Sequence, residues 1–77
     1  MKAEFHAGDV LVQIGEFEKW KVLGIEYGGS VYRVQSFWGE KEGYSPNIFP
    51  VGLIEKDMVK VGTWDMDKNQ EVDDDVQ

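Results

Sequence analysis

Two runs of residues that favour a pleated surface meet at Gly28-Gly29, and that pair constrains the fold more than any other feature of the chain. Trp20, Val22, Leu23, Ile25 and Tyr27 precede it, and Val31, Tyr32, Val34 and Phe37 follow it. These are residue types that suit a half-buried strand. A two-residue loop between antiparallel strands needs positive φ, which glycine adopts without steric cost, so the pattern predicts a hairpin with Gly28-Gly29 at its turn.

The strands on either side extend this into a small antiparallel β-domain. Val10, Val12 and Ile14 share one face of a first strand over 10–14, with Leu11 and Gln13 on the other. Gly15 to Lys19 then forms a hairpin loop carrying Phe17, a ring expected to fold back over the domain rather than stay free for a partner. The second strand, 20–27, does not alternate cleanly, and a bulge or a strong coil near Gly24 reconciles its two halves. In the third strand, 30–37, Tyr32, Val34 and Ser36 fall on one side, expected to face inward.

Residues 38–47, with two glycines, a proline and three charges, read as a long loop. Ile48 to Glu55 resumes an apolar run, but Pro50 lacks an N–H, which confines the run to a sheet edge or starts it after the proline. Glu55 to Met58 suits one helical turn, and Val59-Lys60-Val61 a short closing strand.

Seventy-seven residues allow one domain, which hides only about 60% of the surface that the unfolded chain exposes. Without cysteine there is neither a disulfide nor a thiolate zinc site, as expected of a reducing interior. Met1 to Asp9 lacks the apolar core of a signal peptide, and no apolar run approaches the roughly 20 residues of a membrane span. A soluble, cytoplasmic protein is the expectation.

The net charge of −7 is uneven. Residues 1–64 hold nine acids and seven bases, whereas residues 65–77 hold six acids and one base, Lys68. The expected organisation is therefore a β-domain over 1–64 and a disordered acidic tail over 65–77, too poor in apolar residues to offset the entropy of ordering. An acidic end of this kind repels polyanions and argues against direct nucleic-acid binding.

Gly8-Asp9-Val10 opening the first strand, followed by Trp20-Lys21-Val22 on the second, resembles the Gly-Asp start of Tudor and KOW members of the SH3-like barrels. Ile54 to Val61 is similar to the one-turn helix and closing strand of SH3 domains. The resemblance implies a small five-stranded antiparallel SH3-like barrel, all-β, with a short helical turn before the last strand. It implies no peptide site, because the loop 15–19 is short and lacks the tyrosines of proline-rich-peptide binders. Tudor domains that read methyl-lysine build an aromatic cage; Trp20, Tyr27, Phe37, Trp38 and Tyr44 can supply such rings, although rings at strand positions usually belong to the core.

Residue chemistry points away from catalysis. His6 is the one histidine, and Ser30, Ser36 and Ser45 lie in or beside turns and strands with no activating signature. Asp65, Asp67, Asn69, Glu71 and Asp73 mimic the first positions of a calcium loop, but Gln70 stands where the turn needs glycine and Val76 where an acid should close the shell. No metal, no cofactor and no catalytic residue are expected. Surface recognition remains: Phe17, Trp38 and Tyr44 on loops, with Trp20 and Tyr27, are the candidate binding residues, the other reading being that the loop rings fold over the barrel ends as plugs. The expected partner is a protein, with a basic one favoured by the acidic surface and a second copy the simplest case. A small-ligand binder or accessory enzyme with a pocket under 38–47 is the alternative.

Overall fold

The Gly28-Gly29 pair does turn the chain. In the computed structural model, which describes residues 4–72, β2 (Lys19–Glu26) and β3 (Val31–Ser36) run antiparallel from Trp20 opposite Ser36 to Glu26 opposite Val31. The loop has four residues, Tyr27 to Ser30, rather than the expected two. Gly28 and Gly29 have φ of 70° and 93°, and Tyr27 is also left-handed at 55°. The Ser30 hydroxyl donates to the Tyr27 carbonyl at 2.8 Å, closing the turn. The register shifts between Val22 and Gly24, where the sequence pointed to a bulge or a strong coil.

Six strands, all antiparallel, form one sheet. Besides β2 and β3 these are β1 (Asp9–Gln13), β4 (Asn47–Pro50), β5 (Met58–Asp65) and β6 (Gln70–Val72), in the order β4-β3-β2-β1-β5-β6. The expected five-stranded closed barrel is thus corrected to an open six-stranded sheet. β4 and β6 are its two edges and do not pair with each other. β4 is short and ends at Pro50, which supplies no N–H for a further ladder.

The sixth strand comes from the segment read as tail. The Asp65 carboxylate accepts from the backbone N–H groups of Asp67 at 2.9 Å and Lys68 at 3.1 Å, and Asn69 takes a left-handed φ of 55°. This reverses the chain so that Gln70 faces Asp65 and Val72 faces Thr63. Residues 73–77 lie outside the described residues, and the rest of the expected disordered tail lies there with them.

Two helices replace other expectations, the first a loop and the second most of the strand expected within 48–55, which stops at Pro50. Phe37, expected to end the third strand, instead opens α1 (Phe37–Glu42) inside the stretch read as a loop. Ser36 caps it by accepting the Gly39 N–H at 2.8 Å, and Gly43 closes it in the left-handed conformation, φ 85°. α2 (Val51–Asp57) follows Pro50 directly and is longer than the single turn expected at 55–58. β5 likewise extends well beyond the expected 59–61.

α2 covers one face of the sheet. There Leu11, Val22, Tyr32, Val34, Ile54 and Met58 form the buried core, with Phe5, Trp20, Phe49 and Val51 packed against it. The inward face expected for β3 is the one found. The Tyr32 hydroxyl is satisfied as well: it donates to Glu55 Oε2 at 2.7 Å and accepts from the Phe5 N–H at 2.9 Å. β1 departs from simple alternation. A register shift between Val10 and Leu11 lets both bury fully, while Ile14, grouped with Val10 by the sequence pattern, lies exposed beyond the end of the strand.

The opposite face is built differently. Because side chains alternate along a strand, Lys21 and Gln35 point away from the apolar core, yet both are buried. α1 packs over them with Trp64 of β5: the Phe37 and Trp64 rings meet edge-on at 5.2 Å, and Gln35 Nε2 donates to the Tyr44 carbonyl at 3.3 Å. Among the described residues no helix is long and apolar enough to cross a membrane.

Candidate interaction site

Ser36 and Gly43 fix both ends of α1, and the helix they delimit presents Trp38 to solvent. The Trp38 ring meets Tyr44 edge-on, with centroids 5.2 Å apart and planes at 61°. The two remain 53% and 60% exposed, so they shield one another without joining the core. The β1–β2 loop docks beside them: the Trp38 N–H donates to Glu18 Oε2 at 3.1 Å, adding a second acceptor at the start of α1. Phe17, next along that loop, is 97% exposed.

The charges around the pair are predominantly negative. Glu16 and Glu18 on the loop and Glu40 and Glu42 on the helix stand against Lys41, while Lys19 is engaged by Glu71 at 3.1 Å. Glu42 lies four residues from Trp38 and so on the same side of α1. Glu40 is turned to Lys21, whose Nζ it meets at 2.8 Å.

The other two candidate rings lie elsewhere. Trp20 is half-buried, edge-on to Phe49 at 6.2 Å and packed against the core. Tyr27 is exposed at the β2–β3 turn, at the far end of the hairpin from Trp20, a separation on the order of 20 Å at the rise of an extended strand. Trp38, Tyr44 and the Phe17 loop therefore share one end of the molecule, and no cage of all the candidate rings is assembled.

A cleft of about 210 Å³ opens on the core side. Trp20, Val34, Phe49, Leu53, Ile54 and Met58 give it apolar walls, and Gln13 and Asp57 are its polar members. None of its lining comes from residues 38–47, where a ligand pocket was expected. The sequence concealed it because it needs α2, and only Leu53, an apolar residue left exposed on that helix, hints at it.

Two titrating groups are displaced from their ordinary values. Burial raises the Tyr32 hydroxyl, with Glu55 pushing in the same direction, and the Glu4 N–H followed by the Tyr32 hydroxyl holds the Glu55 carboxyl down. This contact ties the segment before β1 to α2. Among the described residues no group of three or more His, Cys, Asp or Glu is placed to hold a metal ion.

Compared with known proteins, the chain matches no family model, no curated protein and no solved structure. The functional reading therefore rests on the geometry of its own residues.

Proposed function

We propose that this chain is a non-catalytic protein-binding module whose Trp38–Tyr44 pair docks a basic partner. The observation that carries the reading is the coincidence of two exposed, mutually braced rings with an excess of carboxylates around them. Rings held in this way bring contact area at small entropic cost, as interface anchors do. A lysine or arginine over an exposed indole face gains about 0.5–2 kcal/mol, and Glu42 on the same side of the helix adds attraction. At longer range the net charge of −7 speeds encounter with a cationic protein and disfavours nucleic acid.

The test is titration with a panel of arginine- and lysine-rich peptides at rising salt. Affinity is expected to fall as salt rises, and Trp38→Ala to weaken binding by about 2 kcal/mol, the scale of an interface hot spot. Glu42→Gln should weaken binding at low salt and matter less at high salt. Charge substitutions are preferable to deleting the acidic end, since Gln70–Val72 belongs to the sheet. Binding indifferent to both salt and Trp38→Ala removes the proposal.

A further inference from the structure

Gly15-Glu16-Phe17-Glu18 sets one phenylalanine at the tip of a hairpin loop, and the fold gives that ring nothing to rest on. Phe5 lies against Tyr32, Trp20 against Phe49, Phe37 against Trp64 and Trp38 against Tyr44, whereas Phe17 has no ring neighbour among the described residues. At 97% exposure its apolar surface is almost entirely in water.

The cleft on the core side lies at the same end of the sheet. Gln13 and Trp20, two of its lining residues, bracket the loop that carries Phe17, and Met58, another, is the register partner of Gln13. The Ile14 N–H, one residue further on, donates to the Asp57 carbonyl at 2.8 Å. Phe17 is not itself among the lining residues, so its loop starts and ends at a cleft that the ring does not fill.

The size of the cleft decides what fits. An apolar cavity of about 150 Å³ takes benzene, and sites for whole small ligands begin at about 300 Å³. A volume of about 210 Å³ lies between them and suits a phenyl ring with its methylene.

We propose that two copies of the chain associate by reciprocal insertion of Phe17 into the cleft of the other. Because the loop and the cleft lie at the same end of each copy, one twofold axis there delivers both rings at once, which is the closed, self-complementary arrangement. Ile14 and Leu53, exposed on either side, are covered in the same step. Two rings bury about 150–250 Å² each, and the walls they cover about as much again, roughly 600–1,000 Å² in total. That is at or below the roughly 1,000 Å² of a specific interface, so the dimer is weak and reversible.

Docking carries Glu16 and Glu18 of one copy towards Asp57 of the other. Salt screens this repulsion and strengthens the dimer, the reverse of its effect on a basic partner, so the two proposals fail independently.

Sedimentation of the full chain, from micromolar to millimolar concentration at low and high salt, tests the inference. The expected result is a monomer–dimer equilibrium that tightens with salt. Phe17→Ala and Leu53→Glu, both at exposed positions, should each weaken it by about tenfold or more, and Phe17→Met, which still fills the apolar cleft, should retain most of it. Circular dichroism checks that each variant folds. A dimer that survives Phe17→Ala overturns the inference, and so does a chain that stays monomeric at millimolar concentration. If that monomer is stabilised by toluene, the cleft belongs to a small apolar ligand instead.

Discussion

The Lys21 ammonium lies 3.9 Å from the centroid of the Trp64 ring, 3% exposed, on the sheet face opposite the apolar core. Its ion pair with Glu40 of α1 reaches from this buried site to a carboxylate that is about half exposed. The pair is therefore unequal, and its two ends differ in what their loss would cost. Glu40→Ala leaves a charge buried against an indole with no carboxylate, and the expected loss is about 1.5–3 kcal/mol, the scale of a hydrogen bond to a charged group. Lys21→Met keeps an unbranched stem under Trp64, gains a sulfur–aromatic contact and strands only a solvated acid, so it should cost less. Urea unfolding of both variants checks the order. If Lys21→Met proves the more damaging, Glu40 is not what compensates the buried ammonium.

Gly39 in α1 is expected to resist replacement by alanine, although alanine is the better helix former by about 1 kcal/mol. A Cβ there would lie 2.6 Å from the Ser36 Oγ that caps the helix and 3.2 Å from Gln35 Nε2. Gly39→Ala should destabilise by about 1–3 kcal/mol through this crowding, and Ser36→Ala by about 1 kcal/mol through loss of the cap. In the double variant the clashing hydroxyl is gone. Its cost should therefore fall short of the sum by about 0.5 kcal/mol or more. Strict additivity in thermal or denaturant melts would mean that the Ser36 hydroxyl is not the obstacle.

Stability should depend on pH through the contact between Glu55 and Tyr32. The folded chain holds Glu55 below its ordinary value, so on acidification the unfolded chain takes up this proton first. The contribution of Glu55 is complete above the ordinary glutamate value and is lost as pH falls through the lower folded value. Tyr32 is raised, and its contribution is complete below the ordinary tyrosine value and lost as pH rises through the higher folded one. Urea midpoints measured against pH should show a shallower acid limb for Glu55→Gln than for the parent. Identical acid limbs would mean that Glu55 gains nothing from the Glu4 N–H and the Tyr32 hydroxyl.

The sequence by itself determined what depends on a few adjacent residues. Gly28-Gly29 made the hairpin legible, the broken alternation around Gly24 located an irregularity, Tyr32 and Val34 marked the inward face of β3, and Pro50 limited its run to an edge or a later start, of which the edge is found. Even there local rules fell short by small amounts, since Tyr27 joined the turn in a left-handed conformation that aromatic residues rarely adopt. The exposure of Phe17, Trp38 and Tyr44 was not legible there: local pattern favoured Phe17 folding back and left the other two between surface and plug, because whether a loop ring finds an apolar bed depends on distant residues.

Tertiary structure decided what depends on residues distant along the chain. α1 is only six residues long and opens Phe-Trp-Gly, and what holds it is the Ser36 cap, the Glu18 carboxylate from another loop and packing over Lys21 and Trp64. β6 offers little apolar surface of its own, and it orders because the Asp65 turn lays it along the unpaired edge of β5. Whether a sheet closes into a barrel depends on whether its two edge strands meet, and no local pattern encodes that. The cleft exists only because α2 lies across strands drawn from three separate stretches of sequence. Local backbone preferences are set by neighbours a few residues away, whereas closure, cavities and buried charges are set by which surfaces the folded chain brings together.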